Sequence, residues 1–304
     1  MKVLTSTQVD PQKWDSAIAN INGRNPLYAY LWYLNCTCGK NWYALIFNDY
    51  ESVVPIPSQW KLKYWKSSLR PPYTQQLGVF GKALNQEQDT HLIAHIESKH
   101  QTIDYPISKL PSSTTKLKLR PRVNMEVDLN SDYESIYSKY SKSLKKRLKH
   151  ASNHLIIKQS EDVAKHIQFY KSSLKGKVKF SQEEIKCLEA IIKNAFHHGK
   201  GLILEAWTVD SEEKIASAFF VTDKVYLTNL AGGSNVAGRE HFAMHALINE
   251  LIKSYAGQKK ILDMEGSDLP GIQSFFSSFG AVKKTYYHLQ KSIPLLEKIW
   301  SYKI

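Results

Sequence analysis

Hydrophobic residues recur along this chain in two periods, and the switches between them mark its elements. Alternation with period two puts every second side chain on one face of a strand. It predicts strands at residues 42–47, 52–56, 62–65, 123–129, 155–158, 202–209, 215–221, 225–230, 261–265 and 285–289. Spacings of three and four predict helices at residues 11–21, 27–35, 85–98, 164–174 and 182–197. Asn48-Asp49-Tyr50 lies between the first two strands and reads as a hairpin turn. Ser131-Asp132-Tyr133-Glu134 has the form of a capping box. It is expected to open one helix with an apolar stripe of Tyr133, Ile136, Tyr137, Tyr140, Leu144 and Leu148. The three strands between residues 202 and 230 are most simply a meander.

The order of these elements divides the chain in two. Residues 109–121 contain the turn-like Leu110-Pro111-Ser112-Ser113-Thr114-Thr115 and a basic stretch ending at Arg120-Pro121, so the expected domains are 1–120 and 121–304. Strands interleaved with helices in this way predict an α/β or α+β layered fold. The first half repeats the element list of the second in shorter form, without a residue-level repeat.

The block from 225 to 280 carries the most information. A hydrophobic strand meets Gly232-Gly233-Ser234-Asn235, read as a turn, and a helix opens near Gly238-Arg239-Glu240-His241. A strand, glycine turn and helix in succession present backbone N–H groups to an anion. That makes Asn229, Gly232, Gly233, Arg239 and His241 candidate donor-binding residues. The next strand ends in Asp263 and Glu265, which by alternation point to one face; if the strand is central, two carboxylates on that covered face raise one pKa. Glu265 is the first candidate for a base, with Asp263 beside it; the structural alternatives are a backbone or lysine bond for Asp263 and an arginine partner for Glu265. At 100° per residue, Arg147 falls roughly 50° from the centre of its helix's apolar stripe, while Lys142, Lys145, Lys146 and Lys149 fall mainly opposite. Arg147 is therefore expected to point inward, either paired with Asp263 or Glu265 or anchoring a substrate anion. Tyr73, Gln75 and Gln76 sit in a proline-stiffened loop that reads as a tight turn or as an acceptor-binding segment. Ser267 and Asp268 read first as a helix cap, with Ser267 a secondary substrate-binding candidate. His241 and His245 are four apart but lack a third ligand at recognisable spacing, so no metal site is expected.

Composition narrows the classes. With 304 residues, 42% hydrophobic content and a mean hydropathy of -0.39, the chain can bury a core in one large or two ordinary domains. No apolar run is long enough to span a bilayer and the first residues turn polar at once, so a cytoplasmic location is expected. Three cysteines, Cys36, Cys38 and Cys187, form neither a disulfide framework nor a zinc motif. A net charge of +13 favours anionic partners, namely tRNA, a phosphorylated cofactor, a nucleotide- or lipid-linked precursor or an anionic membrane surface, the alternative being a solvated basic surface that keeps the protein soluble.

Two stretches carry a family resemblance. Residues 140–151, the basic helix around Arg147, and Leu262-Asp263-Met264-Glu265-Gly266-Ser267 with Gly271-Ile272, Phe275-Phe276 and Phe279-Gly280 resemble the Fem-like branch of the GNAT acyltransferases. The resemblance implies two GNAT-like domains, each a mixed, mostly antiparallel sheet flanked by helices, with a cleft between them. It implies transfer of an activated acyl group, from acyl-CoA or aminoacyl-tRNA as co-substrate, to an amine. No tightly bound cofactor is expected. The alternative is a non-catalytic RNA- or precursor-binding protein that keeps the fold. Two departures bear on the donor. Phe242 and Met244 stand where acyl-CoA-dependent members place glycines, and Phe276 stands where many place a tyrosine acid.

Overall fold

A computed structural model of the chain describes residues 1–19, 25–61, 64–111, 115–266 and 268–291. They form two units, Met1–Arg122 together with the segment from Thr285 onward, and Val123–Lys284.

In the first unit, β1 (Lys2–Thr5) precedes α1 (Pro11–Ala19) and α2 (Leu31–Thr37). β2 (Trp42–Phe47) and β3 (Ser52–Pro57) form the expected hairpin, with Asn48, Asp49 and Tyr50 all at positive φ. The strand anticipated at 62–65 is instead two, β4 (Gln59–Lys61) and β5 (Trp65–Leu69), and residues 62 and 63 lie outside the described chain. β6 (Phe80–Gly81), α3 (Gln86–Lys99) and β7 (Thr102–Ile107) follow. Asn85 caps α3 by accepting from Gln88 N at 2.8 Å. One sheet has the order β1-β2-β3-β6; β4, β5 and β7 lie side by side in another. The residue 70–79 loop holds Tyr73 at positive φ, and its carbonyl accepts from Tyr33 Oη.

The second unit is an α+β layer. β8 (Lys118–Asp128) runs straight through Arg120-Pro121, so the basic stretch expected to link domains is strand. The single helix expected from Ser131 is two, α4 (Tyr133–Ser138) and α5 (Lys142–Ser152). The caps explain the break. Asp132, one residue later than the predicted cap, accepts from Ser135 N at 2.8 Å, and Ser141 starts a new helix by accepting from Leu144 N at 3.1 Å. Then come β9 (Leu155–Ser160), α6 (Val163–Ser173), α7 (Gln182–His197), β10 (Gly201–Thr208), β11 (Lys214–Thr222) and β12 (Tyr226–Ser234). α8 (Val236–Glu240), α9 (Ala243–Tyr255), β13 (Ile261–Asp263) and α10 (Pro270–Ser277) complete it. The sheet order is β8-β13-β12-β11-β10-β9, with β12 and β13 parallel and the other neighbours antiparallel. One sheet face packs Leu227, Phe220, Met125 and Leu262 with Leu144, Leu247 and Leu251 in a continuous core. Each such fully buried large side chain contributes about 1.5–3 kcal/mol.

β14 (Val282–Lys291) was expected in the second domain, but its residues from Tyr287 onward pair with β7, which places them in the first unit.

Candidate functional site

The site begins where two parallel strands part. β12 and β13 pair only over Tyr226–Thr228 and Ile261–Asp263. Beyond Asp263 the chain stays with β8, since Met264 N donates to Met125 O at 2.9 Å. Glu265 and Gly266 then turn at φ 55° and 34°. Gly266 presses on β8 so closely that a Cβ would sit 2.1 Å from Val123 O, so only glycine fits there. On β12 the register with β11 shifts between Phe219 and Phe220, leaving Leu230 as a bulge. Past the parting, β12 keeps β11 as its partner and no longer pairs with β13 among the described residues.

A cavity of about 480 Å³ opens there, walled by β12, α5, α8, α9 and α10. Arg147, Asn229, Gly232 and Arg239 all line it, so four of the predicted residues come together. All its lining residues belong to the second unit. Phe242, Met244, Phe275 and Phe276 make much of the wall.

Arg147 points inward as its helical position predicts, but neither Asp263 nor Glu265 is its partner. Its Nη1 donates to His245 Nε2 at 3.2 Å, and its guanidinium lies over the Phe242 ring at 5.5 Å. His245 can accept because it is neutral: burial, reinforced by Arg147, lowers its pKa to about 4. Arg147 therefore brings a positive charge to the cavity with no carboxylate bound to it among the described residues. Asn229 adds a buried Oδ1 that lacks a hydrogen-bond partner among the described residues. Such an orphan acceptor costs about 1–3 kcal/mol.

The glycines are not a turn. Gly232 and Gly233 continue β12, opposite Ala218 and Ser217. A Cβ on Gly233 would meet Ser173 Oγ at 2.1 Å, and one on Gly232 would meet the Met244 methyl at 3.0 Å. They are small so that α6 and α9 can approach the sheet. The helix after them is also divided. Asn235 caps α8 by accepting from Gly238 N at 2.8 Å, and α9 starts afresh after Phe242 at φ 57°. Gly238 faces the backbone, with a Cβ position 2.2 Å from Ile215 O. Arg239 is exposed, its Nη1 donating to Ser234 O at 3.2 Å.

The acidic pair resolves differently. β13 ends at Asp263, so Glu265 leaves the strand at positive φ and the two carboxylates do not share a face by alternation. Asp263 is fully buried and accepts from Glu265 N at 2.9 Å. Its neighbour across the ladder is Glu126, pushed up to about 7 by burial and by Asp263. Neither Asp263 nor Glu265 lines the cavity. Glu126 was missed because its partner in β13 lies far along the sequence. Tyr73, Gln75 and Gln76 lie in the first unit; Gln75 is buried and accepts from Gln76 Nε2 at 2.8 Å. His241 stacks with other histidines instead of lining the cavity. Ser267 lies outside the described residues, and Leu269, not Asp268, holds the cap position of α10 with Pro270 in its first turn. Cys36 and Cys38 are raised to about 11 by burial, as expected of packing thiols.

A crystal structure of FemX superposes with a TM-score of 0.68 at 11% identity, covering 98% of this chain and 100% of that one. The fold is that of Fem-like GNAT proteins. The C-terminal domain of a putative lysylphosphatidylglycerol synthetase from Agrobacterium fabrum gives 0.58 at 10% identity, covering 95% of each chain. A tandem GNAT protein from the clavulanic acid biosynthesis pathway gives 0.53 at 8%, covering 96% of this chain and 99% of that one. No family model and no curated protein matches the sequence. Within this GNAT fold, no helix among the described residues is long and apolar enough to cross a membrane.

Proposed function

We propose that the protein transfers an activated aminoacyl or acyl group to an amine, with the donor's reacting end in the β12 cavity. The carrying observation is that Arg147, held by a neutral His245, lines this cavity together with Asn229, whose buried Oδ1 has no hydrogen-bond partner among the described residues. A guanidinium and an unused amide acceptor suit an ester carbonyl or phosphate on one side and an amine N–H on the other.

Asn229, once its buried Oδ1 turns toward the cavity, would accept from the attacking amine and so orient its lone pair toward the carbonyl. Arg147 would stabilise charge developing on the carbonyl oxygen. The new C–N bond forms as the ester C–O bond breaks, and the amine proton reaches the leaving oxygen through water. No lining residue is a carboxylate, so the lining itself offers no strong base. His245, with its pKa near 4, serves as a positioning residue for Arg147.

Between the donors, the aminoacyl ester of a tRNA fits better than acyl-CoA. Phe242 and Met244 occupy the wall where a pyrophosphate needs bare backbone, and Gly238 is committed to packing on Ile215. The charge of +13 suits a polyanionic carrier. The test incubates the protein with mixed aminoacyl-tRNA or with acyl-CoA, plus an amine-rich metabolite extract, and follows donor consumption and amide products by mass spectrometry. Arg147→Gln is expected to slow aminoacyl-tRNA consumption by roughly 10- to 150-fold. The reading fails if neither donor is consumed faster by the wild type than by this variant; salt-sensitive tRNA binding without transfer would instead mark a binding protein.

A further inference from the structure

Outside the cavity, three histidines from separate parts of the second unit meet at one spot. His150 comes from the last turn of α5, His154 from the turn that follows, and His241 from the link between α8 and α9. The nitrogen atoms they offer all lie within 4.8 Å of one another. We propose that His150, His154 and His241 form a binding site for one divalent transition-metal ion of the zinc, cobalt, nickel or copper class.

The geometry carries this. His150 Nε2 and His241 Nδ1 face each other at 3.3 Å. Two imidazole nitrogens on one tetrahedral ion, each about 2.0–2.1 Å from it, stand about 3.3 Å apart. His154 supplies the second argument. Its Nδ1 donates to the carbonyl of His150 at 2.8 Å, which keeps the proton on that nitrogen and leaves the Nε2 lone pair free. A ligand histidine anchored through its other nitrogen is the usual supporting bond of a metal site. The rings are already gathered, with centroids 4.4 Å apart for His150 and His154 and 5.1 Å for His154 and His241. The nitrogen that His154 offers lies within 4.8 Å of the other two and would draw closer as the ion binds. Imidazole-only ligation selects borderline ions over magnesium or calcium, which take oxygen ligands.

Three protein ligands leave a fourth position for water or an anion. Lys146, Lys149 and Arg239 are exposed on the same elements, so the local positive charge weakens ion binding and favours an anionic fourth ligand. The ring of Phe242 lies 5.7 Å from that of His150 and also lines the cavity, so ordering the three histidines would also steady that wall.

The sequence suggested His241 with His245 and expected no metal. The structure separates those two, sending His245 to Arg147 and Phe275. The test titrates zinc and cobalt(II) separately into untagged, chelator-treated protein, by calorimetry and by the visible absorption of cobalt. One equivalent of each ion is expected to bind, with the intense bands of tetrahedral cobalt and a raised melting temperature. His154→Gln and His241→Gln, checked for fold by circular dichroism, are each expected to weaken binding at least about 10-fold. A doubly substituted His197→Gln, His198→Gln control should bind as the wild type does. Binding below one equivalent, or binding equal in the wild type, His154→Gln and His241→Gln, would overturn the assignment and leave a surface stack of hydrogen-bonded rings.

Discussion

Arg147 Nη1 lies 3.2 Å from His245 Nε2, so a cation from α5 is held by a neutral ring from α9 at the wall of the cavity. Burial is the larger cause of the depressed His245 pKa and Arg147 the smaller. Replacing Arg147 with Gln should therefore raise the His245 pKa above about 4 while leaving it below its ordinary value of 6.5. Proton-detected NMR of the ring across a pH series reads this directly. The same substitution removes a charged donor worth about 1.5–3 kcal/mol, an expected loss of roughly 10- to 150-fold in kcat/KM for the transfer reaction. An unchanged His245 titration would mean that the two groups do not interact in solution.

Asn229 offers a sharper separation of stability from activity. Its buried Oδ1 has no partner among the described residues, so Asn229→Leu removes a penalty and should raise unfolding stability by about 1 kcal/mol. Transfer should fall at the same time. Urea unfolding and donor consumption, measured on one preparation, check both directions, and a destabilised variant would show that Asn229 is satisfied in solution.

Acid should destabilise the protein well before its ordinary carboxylates titrate. Burial lowers His100, His166 and His245 to about 4 each. In the unfolded chain these rings take protons near pH 6.5, whereas the folded protein refuses them until near pH 4. Stability present above pH 6.5 is thus lost as pH falls toward 4, at about 1.4 kcal/mol per pH unit for each ring. Glu126 works the other way. Its pKa is raised to about 7, so its contribution is full below about 4.5 and fades as pH rises through 7. Three groups against one leaves a net loss on acidification. Urea midpoints at pH 7.5, 6.0 and 5.0 should fall in that order, and His166→Gln should flatten the slope.

Two glycines in the same region should respond oppositely to alanine. Gly266 sits at φ 34° with a Cβ position 2.1 Å from Val123 O, so Gly266→Ala should cost about 2–3 kcal/mol. Gly271 lies in the first turn of α10 with nothing within 4 Å, so Gly271→Ala should be neutral or stabilise by up to about 1 kcal/mol. Thermal melts of the two variants decide this.

These contrasts show what the sequence could and could not disclose. The hairpin at Asn48-Asp49-Tyr50, the meander of β10 to β12 and the limits of α7 follow from local period and turn chemistry. Arg147 was readable because helical spacing fixes a direction. Gly232 and Gly233 were misread because glycine serves turns and close packing alike, and here it admits Ser173 and Met244. Glu265 was misplaced because strand alternation stops where Gly266 turns the chain. The joining of His241 to His150 and His154, and of Glu126 to Asp263, was invisible because these residues meet only through tertiary structure.

The return of β14 to β7 has a consequence for how the protein is made. Ile107 pairs with Tyr287, while residues 123–284 form a unit of their own between those two strands. As the nascent chain leaves the ribosome, this inserted unit is complete before the strand that finishes its predecessor has been translated. The earlier segment must wait with the edge of β7 uncovered, exposed to mispairing until synthesis reaches the closing strand.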